Sequence, residues 1–281
     1  MAVGARLGEA TTDGYVTPPL TAADRKLVHI HPDPEELNRV YPADLAICAS
    51  MDEFAEIAAL WDEGEVISFD AGVEAHAEWE AWATPSPNGH ALDLGQCVGF
   101  MRDTLPPDSI ICNGAGNFSG WWHRYWRYAG FPTQLAPTAG AMGYGVPAAV
   151  AAARRYPDRT VVALAGDGDF LMNGQELATA VQHGCDMIVI VVDNSAYGTI
   201  RMHQEREFPG RISATALRNP DFAALGAAYG AWSARVETTA AFQHALTEAR
   251  DRSGVRLLHC LIDIEQLAAS GATLSGLRAP K

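Results

Sequence analysis

Two short polar stretches stand at the ends of the most apolar runs in the chain. Gly166-Asp167-Gly168-Asp169 follows residues 160–165, and Asp193-Asn194-Ser195-Ala196 follows residues 187–192. Together they could offer a carboxylate, an amide oxygen and a free main-chain carbonyl. Such hard oxygen donors suit Mg²⁺, which keeps phosphate oxygens and a water among its ligands. Gly166 and Gly168 would let the main chain approach a phosphate closely. Taken singly, Gly-Asp-Gly is an ordinary strand-to-helix turn; two such loops delivered to one place would hold a phosphorylated ligand and its ion.

Whether the loops meet depends on what precedes them. Runs 160–165 and 187–192 are almost unbroken apolar, as strands buried on both faces of a parallel sheet are. The residues between read as a helix, with Asn173 and Glu176 in capping-box spacing at its start and Gly184 as a left-handed stop. Strand, helix and strand make a βαβ unit whose parallel strands end on one edge of the sheet. Ligands of such sheets bind at that edge.

A third loop of this kind, Asn113-Gly114-Ala115-Gly116-Asn117, follows a predicted strand over 109–112. Its glycine spacing fails the dinucleotide pattern, because Ser119 stands where the third glycine belongs. The aromatic run 121–128 reads as core packing or the lining of a substrate passage. Small residues over 138–149 open a helix running to Tyr156. A polar helix over 198–208 could cover a ligand, with His203 a candidate substrate contact or a solvated helix histidine.

The 281 residues are 48% apolar, enough for a sizeable core in one large or two small domains. Asp and Glu number 34 against 20 Lys and Arg, and the formal charge of −14 argues against nucleic acid or an anionic membrane as partner. Five cysteines without a C-x-x-C pair read as reduced, mostly buried thiols, and the nine scattered histidines suggest no zinc site. No apolar run reaches membrane-spanning length, and residues 1–10 lack the features of a secretory leader, so the cytoplasm is the expected compartment.

The paired loops resemble the diphosphate and metal motif of thiamine diphosphate enzymes, whose usual ending is Asn-Asn where this chain has Asp193-Asn194. The resemblance implies Asp167, Asn194 and the Ala196 carbonyl as Mg²⁺ ligands. It places Gly116, Asn117, Gly166, Gly168, Asp169 and Asn194 at the cofactor diphosphate. Thr138 to Ala149 is similar to a second signature of the family. There Gly140 would accept a hydrogen bond from the cofactor's 4′-amino group, and Met142 would prop thiazolium against aminopyrimidine in a V shape. The overall likeness is to acetolactate-synthase-like members, which decarboxylate and join 2-oxo acids, although a tryptophan of that group is His203 here.

The implied fold is α/β: a doubly wound, mostly parallel sheet preceded by a partial α/β domain. Residues 1–64 resemble the closing part of the central domain, carried by Ala2 to Arg6 and Leu27 to Leu37; within them 1–7 reads as a strand and 34–40 as a short helix, and further on Asn219-Pro220 reads as the cap of a helix to Tyr229. Residues 65–91 form a linker, 92–264 the cofactor domain and 265–281 a tail. Some members bind FAD beside the first of these stretches, but Leu7-Gly8-Glu9-Ala10 departs from their pattern and argues against FAD here. The glutamate that activates the cofactor sits, in the family, on a pyrimidine-binding domain that precedes the central one. The chain is therefore expected to need that domain from elsewhere, to work as an oligomer, and not to turn over alone. A split enzyme, a truncated gene product and a non-catalytic cofactor-binding remnant all fit this organisation. Another thiamine diphosphate-dependent lyase or decarboxylase, and more remotely a redox flavoprotein, are the alternative functions.

Overall fold

The computed structural model describes residues 1–20, 25–61 and 70–278, and the chain divides into two compact units, Met1–Asp70 and Ala71–Lys281. In the first unit three strands, β1 (Ala2–Val3), β2 (Val28–His31) and β3 (Leu45–Cys48), pair in parallel in that order, followed by helix α1 (Met51–Ala58). A capping box starts α1, with Ser50 Oγ accepting from the Glu53 N–H and the Glu53 carboxylate accepting from the Ser50 N–H.

Two expectations for this unit are corrected. The strand expected over 1–7 stops after Val3, because Gly4 turns into the left-handed region at φ +69°, where the Met51 side chain closes over it. The helix expected over 34–40 is a run of turns, broken where Asn38 takes φ +62° and its side chain accepts from the Ala43 N–H. Of the stretch read as a linker, residues 65–69 lie outside the described residues. Helix α2 (Asp70–Trp82) opens the second unit.

The second unit is built on six strands: β4 (Ile110–Asn113), β5 (Gln134–Leu135), β6 (Val161–Gly166), β7 (Met187–Asp193), β8 (Trp232–Val236) and β9 (Val255–Leu261). They pair entirely in parallel in the order β5-β4-β6-β7-β9-β8. The helices are α3 (Leu94–Thr104), α4 (Ser119–Tyr125), α5 (Gly145–Arg155), α6 (Asp167–Asn173), α7 (Glu176–Gln182), α8 (Gly198–Glu207), α9 (Phe222–Ala228), α10 (Thr239–Arg250) and α11 (Leu274–Arg278).

Alternation along the central strands explains the layering. Val162 and Leu164 of β6 face a core shared with Met101 of α3, Trp122 of α4 and Phe242 of α10. Val161, Ala163 and Ala165 face the opposite core, with Val146 of α5, Phe170 of α6 and Phe222 of α9. Every residue of β6 and β7 is buried, which is why these strands read as unbroken apolar runs. Each Val, Leu, Ile or Met side chain among them contributes about 1.5–3 kcal/mol on leaving water. The aromatic run belongs here too, with Trp121, Trp122, Tyr125 and Trp126 packed in the first core.

Chain direction reverses between β4 and β6: β4 leads outward to β5, and β6 leads the other way to β7. Loops leaving two such neighbours part company and open a crevice at their carboxyl ends. Two helix starts differ from expectation nearby. Asn173 does not cap a helix; its amide donates to the Gly143 carbonyl at 2.9 Å, and α7 starts after Gln175 without a side-chain cap. Asn219 does not cap α9, whose cap is Asp221, accepting from the Ala223 and Ala224 N–H groups. Gln266, at the start of the tail, is buried and bonds to both the Leu94 N–H and the Leu92 carbonyl at the head of α3. Among the described residues no helix is long and apolar enough to cross a membrane.

Candidate cofactor and metal site

The crevice between β4 and β6 holds a cavity of about 210 Å³. Its walls come from the loops after β4, β6 and β7, from residues 140 and 142 before α5, and from residues 262–267. Glycine is required by packing at several points of this wall. A Cβ at Gly116 or Gly166 would stand 2.9 Å from the Phe118 ring, and one at Gly168 would stand 2.6 Å from the Tyr197 ring. Gly140 needs its glycine for another reason: its φ is +67°, and it faces open space.

Asp167, the first residue of α6, is buried beside the end of β7. Its Oδ1 accepts from the Gly168 N–H at 2.9 Å; its Oδ2 accepts from the Ala196 N–H at 3.2 Å and the Asn219 amide at 2.8 Å. Burial pushes the carboxyl up to about 6, against the hydrogen bonds from Asn219 and Gly168, and the charge of nearby Asp193 adds to the rise. A divalent cation would remove that penalty, since it supplies the opposite charge that burial withholds.

Asn194 and Ala196 follow in the loop after β7. Asn194 Oδ1 accepts from the same Ala196 N–H, at 3.1 Å. Between them Ser195 occupies the left-handed region at φ +55°, a conformation that costs a residue with a side chain about 1–3 kcal/mol. Asp193 holds it there: Asp193 Oδ1 accepts from the Ser195 N–H at 2.8 Å. Ala196 pairs antiparallel with Ala216, framed by the bonds from Tyr197 N–H to the Thr215 carbonyl and from Leu217 N–H to the Ser195 carbonyl. In that type of pair the N–H and C=O of Ala196 point away from its partner strand. The N–H goes to Asp167, so the carbonyl turns to the same side, and among the described residues it receives no hydrogen bond.

Asp193 itself turns away from the cavity. Burial would raise its carboxyl, but the hydrogen bonds from His259, the Ser195 N–H and Asn219 outweigh that and hold it below the ordinary range. The remaining donor set is one carboxylate, one amide oxygen and one carbonyl. It contains no soft ligand, and among the described residues no group of three or more His, Cys, Asp or Glu side chains is placed to hold a metal ion. These residues fit a hard divalent cation.

Asp169 also lines the cavity, but its carboxylate ties loops together. Its Oδ1 accepts from the Gly143 N–H at 2.7 Å and the Ala115 N–H at 3.3 Å, while its buried Oδ2 has no partner. Burial pushes this carboxyl up to about 6 against those two bonds. Gly168 and Asp169 lie in the first turn of α6, where N–H groups have no acceptor within the helix. Asn117 likewise spends its side chain internally, donating to the Leu267 carbonyl at 3.1 Å and accepting from Thr199 Oγ1 at 3.0 Å. Met142 is not a core residue; it is 38% exposed at the cavity edge. His203 is exposed on α8 and does not line the cavity. The structure thus brings Gly116, Asn117, Gly140, Met142, Gly166 to Asp169, Asn194 and Ala196 to one cavity and leaves His203 outside it.

The sequence model of the thiamine pyrophosphate enzyme C-terminal TPP binding domain matches residues 114–260, more than half of the chain. The chain belongs to the thiamine pyrophosphate enzyme family. Its central-domain model matches residues 1–57. Among relatives, the chain is similar to the large subunit of acetolactate synthase isozyme 2 of Escherichia coli K12, at 28% identity over 94% of this chain and 47% of that protein. It is also similar to the acetolactate synthase large subunit of Corynebacterium glutamicum, at 30% identity over 89% of this chain and 42% of that protein. The thiamine diphosphate-dependent 4-hydroxybenzoylformate decarboxylase of Rhodococcus jostii RHA1 shares the fold. It superposes with a TM-score of 0.71 at 24% identity, over 86% of this chain and 44% of that one. The chain spans less than half the length of these relatives.

Within this thiamine pyrophosphate enzyme fold, two polar residues at the site escaped the sequence reading. Asn219 looked like a helix cap before Pro220. His259 lies in the apolar stretch 257–261 of strand β9, and a histidine inside such a stretch was the available signal, since a buried polar group needs a buried partner. That partner is Asp193 Oδ2, at 2.9 Å from His259 Nε2.

Proposed function

We propose that this chain carries the diphosphate- and Mg²⁺-binding part of an acetolactate synthase-like enzyme, one that decarboxylates a 2-oxo acid and joins the product to a second keto acid. One observation carries the reading. The Ala196 N–H is shared by Asp167 Oδ2 at 3.2 Å and Asn194 Oδ1 at 3.1 Å, so oxygens from two strand ends converge on one point beside a free carbonyl. Asp167, Asn194 and the Ala196 carbonyl would hold Mg²⁺. Gly116, Gly166, Gly168 and the main chain of Asp169 would border the diphosphate. The Gly140 carbonyl and Met142 would receive the aminopyrimidine and keep the cofactor bent. When bound, thiamine diphosphate supplies a thiazolium carbon that adds to the substrate carbonyl and accepts the electron pair left by decarboxylation.

Activation needs a carboxylic side chain at the far side of the pyrimidine. The acids lining the cavity among the described residues are Asp167 and Asp169, and the first is assigned to the metal while the second binds loop N–H groups. The activating glutamate is therefore assigned to a pyrimidine-binding domain outside these residues, on this polypeptide or another. An apolar surface suits its docking: Met142 and Ile200 line the cavity yet are 38% and 54% exposed, and exposed Tyr144 and Met172 extend the patch.

Calorimetric titration of the chain with thiamine diphosphate tests the reading. Binding is expected with Mg²⁺ and not without it, and Asp167→Ala should abolish the Mg²⁺-dependent heat. Equal binding with and without the ion would refute the metal assignment. Another thiamine diphosphate-dependent lyase or decarboxylase is the second reading, favoured by His203, which replaces the tryptophan of acetolactate synthases and is exposed. Product analysis decides between them once a pyrimidine-binding domain is supplied: acetolactate from pyruvate supports the first, a free aldehyde the second. Tight cofactor binding with no activity beside any such domain would mark a remnant.

A further inference from the structure

Asn219 lies between two carboxylates. Its Nδ2 donates to Asp167 Oδ2 at 2.8 Å and to Asp193 Oδ1 at 2.7 Å, so each amide hydrogen goes to a different acid. Its Oδ1 is buried and without a partner, which leaves the donor end as the part of the side chain that is used. The residue is free for this because Asp221 caps α9. The segment that carries it is fixed to the metal loop by the pairing of Ala216 with Ala196.

The far acid is immobilised from behind. Asp193 Oδ2 accepts from His259 Nε2 at 2.9 Å. The His259 ring stands edge-on to Phe222 at 5.1 Å between centroids, and its Nδ1 is 3.6 Å from Asp221 Oδ1. A continuous chain of polar contacts therefore runs from β9 through Asp193 and Asn219 to Asp167. Two like charges would otherwise face each other without a donor between them, at a cost that a buried setting magnifies. With Asn219 in place, Asp167 Oδ2 has two N–H donors and Oδ1 has one, which leaves Oδ1 with a free lone pair.

We infer that Asn219 is a positioning residue of the metal site: by donating to Asp167 and Asp193 together, it fixes the Asp167 carboxylate in the orientation a divalent cation requires. This rests on the Mg²⁺ reading given above. Groups that orient a metal ligand without touching the metal change affinity by about 10–100-fold when removed.

The test uses Mn²⁺ as the ion, with thiamine diphosphate, on the full chain. Bound Mn²⁺ is read by its electron paramagnetic resonance signal, and folding by urea melts of the same samples. Asn219→Asp keeps the shape and removes the donor, so its Mn²⁺ affinity should fall at least tenfold, and further than that of Asn219→Ala, whose space water can enter. A residue that merely fills space would give the reverse order, because the isosteric variant would then match wild type. Asn219→Asp binding Mn²⁺ within twofold of wild type overturns the inference. If that variant fails to fold, Asn219→Ala decides alone, and unchanged Mn²⁺ affinity there has the same force. Absence of Mn²⁺ binding by wild type would instead remove the metal reading, and this inference with it.

Discussion

Replacing Asp169 with asparagine isolates the cost of one buried charge. The carboxyl is 3% exposed; one oxygen receives two main-chain N–H groups and the other receives none. Burial moves its ionisation from the ordinary 3.8 to about 6. The folded chain therefore holds this proton more tightly than the unfolded chain. The stabilisation is complete below about pH 4 and is lost as pH rises through about 6. At about 1.4 kcal/mol for each tenfold change in the ionisation constant, the full penalty is about 3 kcal/mol above that window. Asparagine keeps the accepting oxygen and places an unpaired amide at the other position, at a cost of about 1 kcal/mol. The variant should be more stable than wild type by about 2 kcal/mol near pH 8 and roughly equal to it near pH 4.5. Urea melts of both proteins at the two pH values measure this, and taking the difference between proteins cancels other titrating groups such as Asp167. A variant no more stable than wild type near pH 8, or an advantage equal at both pH values, would refute the reasoning.

Other substitutions probe the frame around the site. A Cβ at Gly145 would lie 2.7 Å from the Leu164 carbonyl oxygen and 2.8 Å from the Gly114 nitrogen, both main chain, so Gly145→Ala should cost about 2–3 kcal/mol in a urea melt. Gly120→Ala is its control: the nearest atom would be 4.0 Å away within a helix, and the change should be neutral or stabilising by up to about 1 kcal/mol. Glu205 is buried, accepts from the Gly210 N–H and pairs with Arg201 of α8 and Arg278 of α11. Glu205→Gln should lower the thermal midpoint and speed proteolysis within residues 265–278, and an unchanged cleavage rate would count against this tie. Of the five cysteines only Cys48 is exposed, while burial pushes Cys112 up to about 12 and Cys260 higher still. A thiol reagent should label one site quickly in the folded chain, and a second fast site would contradict the packing.

Much of the second unit was legible because local pattern and tertiary role coincide there. Residues buried on both faces must be apolar at every position, so β6 and β7 announced themselves, and the parallel crossover between them followed from length. Elements whose role is marginal left weaker traces. The edge strand β5 is only two residues long, too short to carry an alternation, and it was not foreseen. The turns over 34–40 contain good helix formers, yet one left-handed residue, Asn38, suffices to break the run. The tail carried no pattern, because Gln266 and Leu267 are held by hydrogen bonds to distant residues rather than by a periodic face.

The site divides in the same way. Asp167, Asn194 and Ala196 could be read together because each sits at a fixed distance from the end of a strand, and a parallel sheet brings strand ends together whatever the side chains are. Asn219 and His259 obey no such rule: they reach Asp193 across 26 and 66 residues by side-chain hydrogen bonds. Their spacing in sequence therefore carries no information. The local signals they did carry did not name Asp193: Asn219 pointed to a helix cap, and His259 only to some buried partner. The departure at Asp193 is explained only by these two. An asparagine there could donate or accept, but a carboxylate accepts at both oxygens, and three of its acceptor positions are filled here by Ser195 N–H, Asn219 and His259. The acid is thus matched to its donors, and the strained Ser195 turn that presents Asn194 and Ala196 depends on that match. His259→Leu would leave Asp193 buried with one oxygen unpaired. It should cost about 1–3 kcal/mol or more of stability in a urea melt, while Asp193→Asn in the same background should recover part of it. Failure of the second change to recover any stability would mean that His259 acts by packing against Phe222, and that the acid at 193 has another cause.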